Sequence, residues 1–385
     1  MLEIAGEFMG EPPGSDKEAQ SHTLLTVFTH SPHCENYMTT DQHRDRMETL
    51  RVGIIGCGGR GKAHAEGYTA NPRTQIVACA DPVAESRSAF AQQFSVEAEY
   101  SDHIEMLEAE QLDIVSVCTW PHMHLPMVEA AAHKSGVRAI HAEKPMAPTW
   151  GEARAMHKVC VANDTILTLC HQRRFGDTFR TARQLLREGA IGDLHRVEGT
   201  CPNLYDWGTH WFDMMFFYNN EVPAQWVMGQ IDVASESSVF GVGVETSGLS
   251  LTRFDNGVEG LMATGDVSHV RLQIRLVGRD GVIEIEASEP LRILRGGQWE
   301  TPPLTEGVHG DLQTIESVRN LVACLESGEE PELSSHKALR ATELIFATYE
   351  SSRRRARIEL PLDTDDSALL AMLAANQIGP GPQPG

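Results

Sequence analysis

Three short stretches of this chain combine residue types that could carry out chemistry. In Glu143-Lys144-Pro145 a carboxylate and an ammonium stand just past an apolar run, followed by a proline that restricts the lysine's backbone and can adopt a cis bond. The pair is either an aimed catalytic cation or a surface salt bridge at a strand end. In Asn203-Leu204-Tyr205-Asp206-Trp207-Gly208-Thr209-His210-Trp211-Phe212-Asp213, Asp206 and His210 are four apart and would share one helical face, with Asp213 a turn beyond. A carboxylate beside an imidazole fixes its tautomer and stabilises the protonated ring, which suits a general base. The plainer alternatives are a helix cap at Asp206 and a satisfied core histidine at His210. The third stretch, Gly56-Cys57-Gly58-Gly59-Arg60-Gly61, has the spacing G-x-G-x-x-G, and Asp81 closes the next apolar run twenty residues after its last glycine.

Each stretch needs an element to position it. Val52, Ile54 and Ile55 enter the glycine turn, a helical pattern leaves it, and a second apolar run from Ile76 to Ala80 ends on Asp81. In such a strand-turn-helix-strand unit Gly56 permits the tight turn, Gly58 a close approach of backbone to a pyrophosphate, and Gly61 helix-on-strand packing. Asp81 favours NAD: its carboxylate can accept from both ribose hydroxyls. A 2′-phosphate there would meet like charge, at a cost of about 4 kcal/mol for a separation of ~4 Å and an effective dielectric of ~20. Arg87, six residues on, keeps NADP open.

The run Leu112 to Cys118 has the character of a strand buried on both faces, and Thr119-Trp120-Pro121-His122-Met123-His124 closes it with polar groups where open α/β sheets bind ligands. A further strand (Thr165 to Cys170) ends in His171-Gln172-Arg173-Arg174. After Gly192 strand-like runs follow one another through short turns, including Asp255-Asn256-Gly257, which implies antiparallel pairing around a helix at about Trp207 to Tyr218. The expected organisation is a leader over 1–46, a Rossmann domain over 47–175, an α+β domain with a large, mostly antiparallel open sheet over 176–362, and a tail over 363–385. Helical patterns between 309 and 354 would pack back on the first domain. Translation could begin at Met47.

The 385 residues carry a formal net charge of −22, which argues against nucleic acid or an anionic membrane as partner. No apolar run approaches the ~18 residues of a membrane span, and no secretory signal is visible. The eight cysteines are scattered without a C-x-x-C pair, as expected of small core residues in a reducing cytoplasm.

Taken together, the glycine turn, Glu143-Lys144-Pro145, and Asp206 ahead of His210 resemble the glucose-fructose oxidoreductase, inositol dehydrogenase and rhizopine catabolism (Gfo/Idh/MocA) family. The resemblance covers about residues 51 to 362, including a helix with Ala347, Tyr349 and Ser351 leading to Leu360-Pro361-Leu362. It implies a Rossmann domain followed by a domain whose open sheet makes a homo-oligomer contact. It also implies NAD held by Gly56, Gly58, Gly59, Arg60, Gly61 and Asp81, with Thr119, Trp120, Pro121 and His124 by the nicotinamide half and Glu143 touching the cofactor. Lys144, Asp206 and His210 match the family's catalytic set. His210 would be the base, Lys144 would stabilise the developing alkoxide, and Asp206 would orient His210. Arg173, Trp207 and Asp213 are the substrate-binding candidates.

Trp120, Trp207 and Trp211 depart from the commonest pattern and suggest an aromatic pocket suited to the apolar face of a sugar ring or cyclitol. No metal is expected, since His122 and His124 with Cys118 lie on a loop where the family this chain resembles does not need one. The expected activity is NAD(P)-dependent oxidation of a secondary alcohol or reduction of its ketone. Redox-neutral glycoside cleavage through a transient keto-sugar and a non-catalytic dinucleotide sensor are the alternatives.

Overall fold

The structure is a computed structural model and describes residues 49–266, 271–286, 291–304 and 307–379. The expected leader and the end from Pro380 lie outside the described residues. The first half alternates strand and helix: β1 Leu50–Ile55, α1 Gly59–Thr69, β2 Thr74–Ala80, α2 Ala84–Phe94, β3 Ala98–Tyr100, α3 His103–Ala109, β4 Ile114–Val117, α4 Pro121–Ala132, β5 Ala139–Ala142, α5 Trp150–Ala162 and β6 Ile166–Leu169. The six strands form one parallel sheet in the order β3-β2-β1-β4-β5-β6. Val52, Ile54, Ile114, Val115 and Ile140 are fully buried because helices cover both faces. The order reverses between β1 and β4, which opens a crevice at the carboxyl ends of those strands. Strand β3 is only three residues long and partly exposed at the sheet edge, so it left little apolar signal in the sequence.

A 3-10 turn, Gln172–Phe175, leads into the second half: α6 Asp177–Arg187, β7 Leu194–Cys201, α7 Gly208–Tyr218, β8 Ala224–Asp232, β9 Ser238–Val239, β10 Val242–Gly243, β11 Ser247–Phe254, β12 Glu259–Thr264, β13 Gln273–Gly278, β14 Gly281–Glu286, β15 Arg292–Arg295, β16 Gln298–Glu300, α8 Leu312–Ser327, α9 Ser335–Arg354, β17 Ile358–Glu359 and α10 Ala368–Ala374. Nine of these strands form a sheet in the order β16-β15-β14-β13-β7-β12-β11-β8-β17. All its pairings are antiparallel except β7 with β12. The asparagine-glycine hairpin joins β11 to β12 as expected, with Gly257 at φ +84°. One face packs on α7 and α9, while Met228 and Leu249 on the other stand more than half exposed.

Every residue of α7 is buried, as befits a helix enclosed on all sides. Helix α8 returns to the first half: a Cβ on Gly67 of α1 would lie 2.8 Å from Val318, so only glycine lets the two helices approach this closely. Residues 363–385, expected as a tail, include a packed helix. Ser367 caps α10 by accepting from the Leu370 N–H, and Leu369 and Met372 are buried. This seven-residue apolar stretch is too short to establish a period in the sequence. No helix among the described residues is long and apolar enough to cross a membrane.

The turn before α7 hangs on a buried acid. Glu245, between β10 and β11, accepts from the Leu204 N–H at 2.5 Å, from the Tyr349 hydroxyl of α9 at 2.8 Å and from the Thr264 hydroxyl at 3.2 Å. Burial without a neighbouring cation pushes its carboxyl up from 4.5 to about 7, against the pull of those three donors. The folded chain therefore keeps this proton at pH values where the unfolded chain has lost it. The stabilisation is complete below pH 4.5 and declines up to about pH 7, by on the order of 3 kcal/mol. Glu245→Gln, which cannot ionise, should show a shallower fall of melting temperature between pH 5 and pH 8 than the parent protein. Parallel slopes in differential scanning calorimetry would refute this.

Candidate active site

Glycines in the β1–α1 turn serve two purposes. At Gly56, φ is +94° and a Cβ would lie 2.5 Å from the Cys118 carbonyl oxygen, while at Gly61 it would lie 2.0 Å from the Gly56 oxygen. The turn's own packing requires both. A Cβ on Gly58 or Gly59 would meet nothing within 4 Å. Helix α1 begins at Gly58 with no side-chain cap and no acidic residue in its first turn. An open floor at an uncapped helix start fits a dinucleotide pyrophosphate. Asp81 ends β2 beside this floor, its carboxylate accepting from the Cys57 and Val83 N–H groups at 2.8 Å each. Arg87 donates to the Asp81 carbonyl at 2.6 Å and pairs with Glu99, so its guanidinium is tied to the protein.

Behind the turn lies a network that sequence reasoning missed. Glu143, 4% exposed, accepts on one oxygen from Arg60 at 2.7 Å and faces the His64 Nε2 at 2.9 Å. Burial opposes its ionisation, but the His64 and Arg60 partners prevail and hold the carboxyl well below its ordinary range. The other His64 nitrogen meets the Ser116 hydroxyl at 2.7 Å, and its ring stacks on His141 with centroids 4.4 Å apart. His141 bonds to the Thr168 hydroxyl at 2.8 Å and the Ser317 hydroxyl at 3.3 Å. His64, His141 and Cys170 offer ligand atoms within 4.8 Å of one another. Stacked rings whose nitrogens already have partners describe a hydrogen-bonded core rather than a metal centre. The available signal was His64 three residues beyond Gly61, on the α1 face that turns toward β4.

Lys144 follows β5 at a cis Lys144–Pro145 bond. Its Nζ lies 2.5 Å from the Asp206 Oδ1, and both side chains are mostly buried. Asp206 belongs to the turn that precedes α7, where its N–H donates to the Asn203 Oδ1 at 2.7 Å. It therefore does not share a helical face with His210, and its carboxylate is taken by Lys144. That corrects the expectation of an Asp206–His210 pair: the helix begins two residues later than that pairing requires. His210 sits in the first turn of α7, 4% exposed, with a buried Nδ1 that has no hydrogen-bond partner. Burial, followed by the charges of Lys144, Arg173, His171 and Arg60, holds its proton affinity well below that of an ordinary imidazole.

Other candidates separate. Asp213 is buried and binds Arg174 through both carboxylate oxygens at 2.8 Å, and Arg174 also reaches Glu221 and Glu332. The pair is structural, so Asp213 is withdrawn as a substrate contact. His124 is likewise enclosed, its ring nitrogens each 3.1 Å from a carbonyl, those of Met146 and Thr119. It fastens the loop carrying Thr119, Trp120 and Pro121 from behind instead of facing a cofactor. Trp211 is core, donating to the Thr200 carbonyl at 2.8 Å. Trp120 is 57% exposed at the start of α4, and Trp207 is partly exposed beside His210. Phe240, in the β9–β10 hairpin, was not anticipated; its ring centroid lies 6.0 Å from the Lys144 Nζ. Its signal was faint, a phenylalanine before a glycine in a tight turn.

Comparison with known proteins agrees with this architecture. Residues 50–171 match the model of an oxidoreductase family with an NAD-binding Rossmann fold, Gfo/Idh/MocA. D-apiose dehydrogenase of Paraburkholderia graminis is 29% identical over 352 residues, covering 82% of this chain and 90% of that protein. Inositol 2-dehydrogenase of Rhizobium meliloti is 26% identical over 336 residues, covering 81% and 99%. The structure of the WlbA dehydrogenase from Bordetella pertussis, in complex with NADH and UDP-GlcNAcA, superposes with a TM-score of 0.69 at 20% identity, covering 82% of this chain and 99% of that one. With its glycine turn, its Asp81 and these relatives along most of its length, the chain carries in residues 50–171 an NAD-binding domain that matches the Gfo/Idh/MocA oxidoreductases, and it is an NAD-dependent oxidoreductase.

Proposed function

We propose that the protein oxidises a secondary alcohol on a polyhydroxylated ring, a sugar, glycoside or cyclitol, with Lys144 and His210 acting on the reacting oxygen. One observation carries the reading. The ammonium of Lys144, from the nucleotide-binding half, meets the turn that introduces His210 from the sheet-bearing half, at 2.5 Å from Asp206. Gly58, Gly59 and the start of α1 would hold the pyrophosphate, and Asp81 the adenosine ribose. NAD, when bound, supplies the hydride acceptor. The D-apiose and inositol dehydrogenases act on a sugar and a cyclitol, and the exposed rings of Trp120 and Phe240 offer apolar faces for such a ring.

His210 enters the cycle neutral, which is the form a base requires. Burial first, and then the neighbouring Lys144, Arg173 and Arg60, depress its proton affinity. A negative charge growing on a substrate oxygen ~4 Å from the ring would favour the protonated imidazole by about 4 kcal/mol at an effective dielectric of ~20. Proton acceptance is therefore coupled to charge development on the alcohol oxygen. Lys144, partly neutralised by Asp206, remains free to donate from its other N–H bonds to that oxygen. Asp206 thus sets the position of the ammonium rather than of the imidazole.

The reading extends to assembly. Met228 and Leu249, on adjacent strands β8 and β11, leave an apolar patch on the open sheet face that a second copy would cover.

Three outcomes test these statements. Lys144→Ala and His210→Ala should each cut turnover at least ~100-fold, with NAD affinity nearly intact by fluorescence titration. Near-normal turnover in either removes its assigned role. Gly58→Ala should melt close to the parent temperature yet bind NAD about tenfold or more weaker, because its methyl enters only the cofactor's space. Leu249→Glu should lower the sedimenting mass of the native protein. An unchanged mass would move the contact elsewhere.

A further inference from the structure

Two arginines adjacent in sequence end in opposite environments. Arg174 is saturated by three carboxylates, Asp213, Glu221 and Glu332. Arg173 makes no ion pair with any described residue, and its Nε is buried with no hydrogen-bond partner. Its guanidinium carbon lies 4.9 Å from the Trp207 ring, 5.0 Å from Trp211 and 5.7 Å from Phe179. Ring faces hold a cation in place but do not accept the N–H bonds that a guanidinium directs in its own plane. Burial lowers its pKa to about 10, so it still carries its charge at neutral pH.

An unpaired, largely buried cation is costly, and it is out of place in a chain with 54 acidic and 32 basic residues, where carboxylates are plentiful. Its location gives it a use. Arg173 is among the charges acting on His210, along with Lys144 and Arg60. Lys144 is balanced by Asp206 and Arg60 by Glu143, which leaves Arg173 as the cation of this group without a carboxylate among the described residues. The crevice therefore carries one positive charge that no carboxylate among the described residues neutralises.

We propose that Arg173 binds a carboxylate of the substrate, so that the ring oxidised by Lys144 and His210 is that of a sugar acid rather than a neutral sugar. A carboxylate matches the guanidinium fork, and its single charge balances the single excess, whereas a phosphate dianion would overshoot it. This inference rests on the placement of the reacting oxygen between Lys144 and His210. Trp207 and Trp211, which hold the guanidinium, make the subsite a spectroscopic reporter.

The test compares matched pairs. Full-length protein with NAD is assayed by NADH absorbance on methyl α-D-glucopyranosiduronate against methyl α-D-glucopyranoside, on the corresponding galacto pair, and on methyl α-D-glucopyranoside 6-phosphate. The acid of each pair should have the higher kcat/KM, by roughly 10- to 100-fold, and should exceed the phosphate. Arg173→Gln should bring the acid-to-neutral ratio close to one, mainly through KM, and Arg173→Lys should restore part of it. Titration of the NADH-bound protein with the uronides should quench tryptophan emission in the parent and not in Arg173→Gln, with circular dichroism verifying that the variant is folded. Equal rates on acid and neutral partners, an unaltered ratio in folded Arg173→Gln, or a preference for the phosphate would each overturn the carboxylate subsite while leaving the Lys144–His210 reading intact. Turnover of none of the compounds counts against that reading, and the fluorescence titration then decides the subsite by itself, a flat response overturning it.

Discussion

A single contact between two kinds of sheet organises this molecule: the ammonium of Lys144 against the carboxylate of Asp206. Neither residue has a stable position by itself. Lys144 is fixed because β5 ends in the parallel sheet just before it, and Asp206 because its turn is hung from Asn203 and Glu245. Both side chains are mostly buried, so losing either partner would strand a charge, and that penalty keeps the two halves in register. The C-terminal helices reinforce the contact from both directions. Tyr349 of α9 donates to Glu245, which holds the Asp206 turn, and Ser317 and Thr314 of α8 reach His141 and Arg60, which back the strand leading to Lys144. The long return of the chain after the second sheet acts as a clamp.

Around that contact the electrostatics run against the whole. A chain with net charge −22 encloses a crevice where the groups acting on His210 are all cations or imidazoles. Such local inversion draws anions inward through an otherwise repelling field. It adds to burial in keeping the imidazole neutral. An Asp–His pair would stabilise the imidazole's proton, whereas burial and the neighbouring cations disfavour it.

Much of this was legible in the sequence, and the boundary has a physical basis. The glycine turn could be read because its constraints are local: Gly56 and Gly61 are demanded by atoms within the same βαβ unit or the neighbouring strand. The open sheet was legible because alternation and short turns survive as patterns. Partner choice was not. Lys144 and Asp206 are 62 residues apart, Arg174 and Glu332 158, and no periodicity encodes which charge meets which. Arg173 and Arg174 are identical in type and consecutive, yet among the described residues Arg174 meets three carboxylates and Arg173 none, a difference created by how the 3-10 turn aims them. Asp206 and His210 failed as a pair because a spacing of four implies contact only inside a helix, and this helix starts after Asp206.

The same geometry links selectivity to base strength. Arg173 contributes to the low proton affinity of His210. A substrate carboxylate seated on that guanidinium would cancel its charge as seen from the imidazole, so binding would raise the basicity of the ring before any bond is broken. A neutral sugar would leave Arg173 uncompensated and His210 a weaker base. Discrimination of that kind would be expressed mainly in binding, with a smaller part in proton transfer, because the proposed recognition group is one of the charges that lower the proton affinity of His210.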